Sequence, residues 1–499
     1  MEFLRQWIGV LLIVLGLARA GIVVLAEPME GYANQGDMHR TSACTGLFPA
    51  DEKAAQAPTP DAPTARFAIG SRTEGCYQSA EVIIAATTVA IYRATGGDPA
   101  KFKLSWVGYV KLALLFGVAL VFAWLLRDHA AAGALHGLIV LLVLADPVVT
   151  LWMNTLYTDF AVILSLYVVT LACSVLALYD RQSYLSWALL LVGLVTLAIS
   201  REQFALLPVA LVLAAWPWLW LSSTRLTVVT VVIALLMGFV SLFVLPRPQD
   251  VRKMTRTDTY LGLLVPASST PQRGLAILNL PESCAPVAGA EWRTRRAEVE
   301  KACPQVYALS SFAFLRFVSD EPMALLRAKL RGFSAIHGIA PGNLGVIDGQ
   351  PGKTIEDLPP WSFSPLKALD AMLPAPVFNA LTLFTFLLAP AGLITLIVLR
   401  RYRGDPLTPM MLAMFLGGTA IYAYATTIFG DGLNEAGRHY LPGTLAMYTV
   451  VIAGLYGLGT LAVRWKETPR EMKLEIPVGA AILGIIAFAV VTALAMIPA

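Results

Sequence analysis

Polar residues just after the first apolar segment of the chain are of the types that act on a hydroxyl group. Asp37 follows that segment by roughly eleven residues, and His39 and Arg40 come directly after it. A carboxylate at a membrane surface can serve as a general base and remove a proton from an acceptor hydroxyl. Gly36-Asp37 is also a common turn pair, so a purely structural role for Asp37 stays open.

A second polar group, near the C-terminus, has the residue types that bind a phosphate. Arg438 and His439 open an apolar segment there. Arginine offers phosphate a fork of N–H donors, and histidine adds a donor whose charge varies near neutral pH. Anchoring is the alternative, because arginine side chains also extend towards lipid headgroups. Glu435 lies three residues before Arg438 and is predicted to pair with it.

Three further polar positions lie at the ends of apolar segments. Arg201 either pairs with its neighbour Glu202 or faces a lipid phosphate in a central cavity. Asp159 opens another apolar segment, where the helix dipole favours an acid whether or not that acid is catalytic. Glu30 precedes Asp37 in the same loop and is the second candidate for a catalytic acid.

The sequence shows no motif typical of a nucleotide or metal site. A G-x-x-x-x-G-K-[ST] loop, a G-x-G-x-x-G turn after a strand and an H-E-x-x-H pair are all absent. The net charge is only +4 and no basic stripe is interleaved with aromatics, which argues against a nucleic-acid partner. The residues near Asp37 leave room for a divalent metal, although no ligand spacing predicts one.

Long apolar segments must position these residues. The chain is 57% hydrophobic and 14% charged, whereas soluble proteins carry about 25% charged residues. Apolar runs long enough to cross a hydrocarbon core about 30 Å thick recur, and lipid makes a helix the natural backbone for each. The sequence therefore predicts an all-α polytopic membrane protein with about eleven transmembrane helices. The predicted spans are 7–26, 104–126, 132–150, 157–179, 185–201, 203–221, 226–246, 376–399, 407–429, 440–463 and 476–497.

The distribution of basic residues predicts a cytoplasmic N-terminus. Arginine and lysine concentrate in connections on one side of the predicted membrane, near 127, 181, 225, 400–403 and 464–473. The first twenty residues also resemble a signal peptide, with Arg5 before an apolar core and Ala-Arg-Ala at 18–20. Apolar residues continue through Leu25, which favours a first span that is retained.

Two long connections fall on the opposite, extracytoplasmic side. The first, 27–103, contains an apolar stretch near 78–94 that is too short to span and is expected to lie at the membrane surface. The second loop is predicted to hold helices near 291–301, 305–318 and 321–334. The chain thus divides into a module of seven spans (1–246), the large loop (247–375) and a module of four spans (376–499).

Cysteine placement supports this sidedness. Cys44 and Cys76 lie in the first outer loop, Cys284 and Cys303 lie in the second, and Cys173 lies within a span. One disulfide within each loop suits an oxidising compartment. Unpaired thiols remain the alternative, because pairing does not follow from sequence alone.

The arrangement resembles the GT-C superfamily of integral membrane glycosyltransferases. Those enzymes have an acidic residue in the first outer loop, juxtamembrane helices after it, and a second long outer loop after span seven. Tyr-Ala-Asn-Gln-Gly-Asp-Met-His-Arg at 32–40 and Glu-Ala-Gly-Arg-His-Tyr-Leu-Pro at 435–442 look like motifs of bacterial members. The chain departs from their best-known pattern of two adjacent carboxylates, because Gly36 and Met38 flank Asp37.

The resemblance implies a polyprenyl-phosphate-sugar donor and transfer on the extracytoplasmic face of the inner membrane, to a glycan, lipid or protein acceptor. Asp37 would be the base, with Glu30 as the other candidate. Arg438, His439 and Arg201 would hold the departing phosphate. A single indispensable carboxylate predicts inversion at the anomeric carbon. A transporter or flippase of lipid-linked saccharide, a glycan polymerase or ligase, and a membrane scaffold are the alternatives, although no internal repeat typical of transporters is visible.

Overall fold

A computed structural model shows a chain built mainly of helices. It describes residues 2–31, 38–50, 65–71, 76–179, 183–246, 248–339, 344, 347–350, 355–398, 407–429, 432–433 and 435–464. Asp37 and the eleventh predicted span, 476–497, lie outside the described residues. The prediction of an all-α polytopic membrane protein is confirmed.

The first span leads into a loop that carries a small β-sheet as well as helices. The helices are α1 (Glu2–Val24), α2 (Met38–Thr45) and α3 (Ala80–Ala94). Strands β1 (Leu47–Pro49), β2 (Arg66–Ile69) and β3 (Phe102–Lys103) form an antiparallel sheet in the order β1-β2-β3. This sheet was not predicted from the sequence. Phe67 and Phe102 pair across β2 and β3, and both are fully buried, so these short strands are stabilised by packing.

In the described part of the N-terminal membrane module, seven further α-helices follow. They are α4 (Ser105–Leu125), α5 (Ala130–Ile139), α6 (Pro147–Thr150), α7 (Asp159–Leu178), α8 (Tyr184–Ser200), α9 (Leu207–Ser222) and α10 (Thr224–Phe239). The helix that begins with α5 continues to Leu144. The chain bends by 66° between this helix and the segment Pro147–Asn154, which begins with α6. Pro147 lacks an N–H group and so cannot continue the preceding helix, while Asp146 caps α6 by accepting from Val148 N at 3.0 Å.

The second loop is helical and has its own apolar core. Its helices are α11 (Gln249–Arg256), α12 (Val265–Ala267), α13 (Pro271–Ile277), α14 (Trp292–Ala302), α15 (Ser311–Asp320), α16 (Pro322–Ala335) and α17 (Pro365–Met372). The predicted helix at 305–318 begins later, because residues 304–308 form a 3₁₀ turn that starts at a proline. Leu264, Val299 and Phe317 are fully buried in this core, and the Cys284–Cys303 disulfide lies within it.

The C-terminal membrane module consists of α18 (Ala375–Val398), α19 (Leu407–Thr427) and α20 (Ala436–Arg464). Within the described residues, seven helices are long and apolar enough to cross a membrane, or eight when the bent pair counts as one span. The predicted spans 185–201 and 203–221 coincide with apolar helices that are shorter than a full span. Helix α7 lies at the centre, since 94% of its span is buried by its neighbours.

Candidate functional site

A polar cavity of about 340 Å³ lies where the first loop, the second loop and the ends of three spans meet. Its walls come from α2, from the segments that precede α3 and α7, from the end of α19 and from the start of α20. The connection between α8 and α9, the end of the α10 span and α11 complete them. The polar residues that line it include Arg40, Thr41, Tyr77, Tyr157, Arg201, Glu202, Gln203, Arg438 and His439. Among the described residues of the lining, Glu202 is the only acid.

Five charged side chains form an alternating chain beside this cavity. Asp159, 5% exposed, accepts from Arg438 Nη2 at 3.1 Å and from Arg201 Nη1 at 3.4 Å. Arg438 Nη1 also donates to Glu435 at 2.8 Å, and Arg293 donates to the other Glu435 oxygen at 3.3 Å. Three guanidinium groups thus share two carboxylates. The set keeps one excess positive charge, and two of its arginines line the cavity, so the wall suits an anion.

Aromatic rings fix the position of Arg438. Its guanidinium lies 4.3 Å from the ring centre of Tyr157 and 5.5 Å from that of Trp152. The Arg438 side chain is only 6% exposed, so it does not extend to lipid headgroups as an anchoring arginine would. A cation held between rings and carboxylates loses little further freedom when it binds an anion.

The connection between α8 and α9 places three consecutive side chains in the cavity wall. Arg201 donates to Asp159, as described above. Gln203 Nε2 donates to the carbonyl oxygen of His439 at 3.1 Å. Arg201 Nη2 lies 3.4 Å from His439 Nε2 and can only donate, so Nε2 accepts. The other ring nitrogen, Nδ1, then carries the hydrogen and donates to Gln203 Oε1 at 3.2 Å. His439 is therefore held in one tautomer and one orientation.

The first loop contributes a further part of the wall. Arg40 Nη2 donates to Asp250 on α11 at 3.1 Å, which joins the first loop to the second. Tyr77 N donates to the carbonyl oxygen of Arg40 at 3.1 Å, and the Tyr77 hydroxyl accepts from Glu202 N at 3.2 Å. The Cys44–Cys76 disulfide lies beside both residues. Both predicted disulfides are confirmed, and Cys173 is a buried free thiol.

One family model matches nearly the whole chain. It is described as the YfdI N-terminal transmembrane domain, and it matches residues 2–475. The chain belongs to this family. The match includes every described element that lines the cavity, from α2 to the start of α20. Neither a curated protein nor a solved structure matches the chain.

In this YfdI-type transmembrane domain, Glu30 lies away from the cavity lining and serves as an anchor between the two loops. Its side chain accepts from Trp361 Nε1 at 3.2 Å and from the Ser362 hydroxyl, and the residue is 2% exposed. Its carbonyl oxygen accepts from Asn154 Nδ2 at 2.7 Å. Burial raises the pKa of the Glu30 carboxyl above 4.5, while the hydrogen bonds from Ser362 and Trp361 act in the opposite direction.

The other candidates from the first loop are placed differently. His39 is exposed on α2, whereas Arg40 lines the cavity. Asp37 lies outside the described residues, so its role as a base stays a prediction. Within the part of the chain that the structure describes, no group of three or more His, Cys, Asp or Glu residues is arranged to hold a metal ion.

A fully buried ion pair that was not predicted from the sequence contacts the segment before α7. Lys111 on α4 lies 2.7 Å from Glu81 on α3, and both side chains are 0% exposed. Lys111 also donates to the carbonyl oxygens of Trp152 at 3.3 Å and Thr155 at 2.8 Å. The pair thus supports the segment that carries the ring partners of Arg438. A lysine inside an apolar span was the available signal, because such residues are costly and are usually paired.

Proposed function

We propose that the protein is a GT-C-like glycosyltransferase that moves a sugar from a polyprenyl-phosphate-linked donor to a hydroxyl acceptor. The observation that carries this proposal is an apolar cleft that follows the Asp159–Arg438 ion pair along the same faces of α7 and α20, next to the polar cavity that Arg438 lines. A donor of this class has the same order of groups, an anionic phosphate followed by an apolar chain, and the part of that chain next to the phosphate would meet the cleft.

The cleft has a volume of about 80 Å³ and lies between α7, α20 and their neighbours. Its residues on α7 follow Asp159 at helical spacing, and those on α20 follow Arg438 in the same way. They include Ile163, Leu166 and Thr170 on α7, and Pro442, Leu445 and Thr449 on α20. Residues at this spacing share one helix face. On both α7 and α20, the ion-paired residue at the start of the helix is therefore followed along the same face by residues of the apolar cleft.

The charged residues of the cavity suit the phosphate of such a donor. Arg438 and Arg201 would hold it through N–H donors that are already oriented, and these bonds are strongest in a partly dry site. His439 accepts from Arg201 through Nε2, so in this arrangement it would orient Arg201 towards the phosphate. In the reaction, the acceptor oxygen bonds to the anomeric carbon and the bond from that carbon to the phosphate oxygen breaks. The polyprenyl phosphate leaves with the electron pair and needs no protonation.

The proton of the acceptor hydroxyl would pass to Asp37, the proposed base. Asp37 is joined by one peptide bond to Met38, whose sulfur lies 3.5 Å from Leu156 N, and Leu156 lines the cavity. A single base and a departing phosphate give inversion at the anomeric carbon. The acceptor is a hydroxyl of a glycan, a lipid-linked saccharide or a protein.

The proposed location is the extracytoplasmic side of a plasma membrane. The disulfide in each long loop suits an oxidising compartment, and basic residues concentrate in the connections assigned to the other side. Transport of a lipid-linked saccharide is the rival function, since a flippase would use the same polar and apolar surfaces. Sugar transfer and movement between leaflets distinguish the two.

The test uses full-length protein in lipid nanodiscs. Undecaprenyl phosphate is expected to raise the unfolding temperature, and Arg438→Ala is expected to weaken its binding by about 10- to 100-fold, as loss of a charged hydrogen bond worth about 1.5–3 kcal/mol predicts. Arg316→Ala, at an exposed arginine of α15, is the matched control. Undiminished binding by the Arg438 variant would refute the phosphate site.

Transfer is measured in the same particles with radiolabelled hexoses on undecaprenyl phosphate and extracted membrane glycans as acceptors. Asp37→Asn is expected to bind undecaprenyl phosphate normally and to lose transfer, because only the base is removed. In sealed proteoliposomes, label that crosses the bilayer without entering a glycan would favour the transporter instead. Full activity of a folded Asp37→Asn protein would exclude Asp37 as the base.

A further inference from the structure

The segment that joins the second loop to α18 is built with its polar side inward. From 361 to 366 its side chains alternate between outside and inside. Trp361 and Phe363 are 57% and 60% exposed, whereas Ser362 and Ser364 are 2% and 6% exposed. In α17 the inward carboxylate of Asp370 is 4% exposed, while Met372 is 79% exposed. Apart from Leu366, which is apolar and buried, this pattern is the reverse of what contact with water produces.

The inward groups are all bonded, so the segment is held in this orientation. Ser362 donates to Glu30, and Ser364 donates to Asp146. Asp370 accepts from the Tyr448 hydroxyl at 2.8 Å and from Ile339 N at 3.1 Å. Turning the segment over would leave these buried polar groups without partners, which costs more than exposing apolar side chains to water.

The outward residues form one apolar row between two spans. The row consists of Trp361, Phe363, Leu369 and Met372. It begins beside α1, where Arg19 donates to the Phe363 carbonyl oxygen at 3.2 Å and where Ile22 and Leu25 are exposed. Two residues separate its end, at Met372, from the start of α18 at Ala375. The row therefore continues the lipid-facing surfaces of both spans.

We propose that this row is a membrane-binding surface, seated in lipid at the boundary between headgroups and acyl chains. Tryptophan and other large apolar side chains are enriched at that depth, and a short helix with one apolar face lies in the plane of the interface. Lys367 pairs with Glu356 at the edge of the segment, which keeps charge on the water side. Lipid contact would fix the anchor of Glu30, and through it the start of the first loop.

The test places a nitroxide label at each residue of the row by cysteine substitution, in full-length protein in nanodiscs. The background is Cys173→Ala, because Cys173 is the free thiol of the chain. Gln272, exposed on α13, is the control for water, and Leu11, 57% exposed on α1, is the control for lipid. Collision rates with oxygen and with a nickel chelate report lipid and water respectively.

Labels on the row are expected to collide with oxygen as the Leu11 label does, and to be at least fivefold less accessible to the nickel chelate than the Gln272 label. Nickel access equal to that of Gln272 would overturn the proposal, and so would protection from both reagents, which would indicate a second protein copy. A separate measurement compares wild type with Trp361→Phe: brominated lipids should quench more of the wild-type fluorescence. Equal quenching would contradict a lipid-seated Trp361.

Discussion

Removal of one partner from the Glu81–Lys111 pair should destabilise the protein severely. Both side chains are 0% exposed, so Glu81→Leu leaves an ammonium group in the interior with two carbonyl oxygens and no counter-charge. Breaking a buried pair in this way costs about 3–5 kcal/mol. Lys111→Met should lower the free energy of unfolding by at least as much, because it leaves a buried carboxylate without its partner. It also removes the hydrogen-bond donor to the Thr155 carbonyl oxygen.

The double variant Glu81→Leu/Lys111→Met should be more stable than either single variant. It leaves no buried charge, and the Trp152 carbonyl oxygen keeps a donor in the Thr155 hydroxyl at 2.8 Å. The remaining cost is one unpaired carbonyl oxygen at Thr155, about 1–3 kcal/mol. Partners in direct contact are expected to show such coupling, whereas independent sites add.

Unfolding free energies from SDS titration in mixed micelles measure all three variants. Lys101→Met is the matched control, because that lysine is 80% exposed and its replacement should leave stability unchanged. If the double variant costs the sum of the two single variants, the reasoning about the pair is refuted. A single variant as stable as Lys101→Met would refute the burial argument as well.

Three further outcomes are expected. Asp159→Asn should lower the free energy of unfolding by about 3 kcal/mol or more, since two largely buried arginines lose the carboxylate they share. The same SDS titration measures this loss, and a loss as small as that of Arg316→Ala would contradict the shared pair. Cys44→Ser/Cys76→Ser opens a loop with a sequence separation of 32 residues and should lower the free energy of unfolding by about 3–4 kcal/mol. Cys173→Ala is the control. An unchanged unfolding midpoint would show that the disulfide does not stabilise this wall of the cavity. The pKa of Glu30 is raised above 4.5, so the folded state binds the proton more tightly and stability should fall as pH rises from 4.5 through the raised pKa. Glu30→Gln should flatten that slope in unfolding midpoints between pH 4 and 8, and a slope that persists would assign it to other groups.

Much of the architecture follows from hydropathy. The apolar runs predicted the long helices because a span must satisfy its own backbone in lipid, and the stretch near 78–94 became α3. The sheet of β1, β2 and β3 was missed because its strands are two to four residues long and depend on the packing of Phe67 and Phe102. Strands this short have no periodic pattern to detect.

The charged residues of the site were predictable one at a time, but their partners were not. Arg201, Asp159 and Arg438 each stood out at the end of an apolar segment. That Asp159 binds both arginines depends on how α7, α8 and α20 pack, which no local pattern contains. Glu30 differs from these residues. Its position in the sequence suggested a catalytic acid, whereas its hydrogen bonds with Trp361 and Ser362 indicate an anchor between the two loops.

The two arginines that share Asp159 are synthesised at very different times after it. Arg201 is 42 residues from Asp159, whereas Arg438 is 279 residues from it. At a synthesis rate of about 5–20 residues per second, Arg438 emerges roughly 15 s to 1 min after Asp159. During that interval Arg201 is the partner that can neutralise Asp159 in the membrane. The anion site therefore comes into being only when α20 is inserted, so a chain that stops short of that helix carries no partly working site.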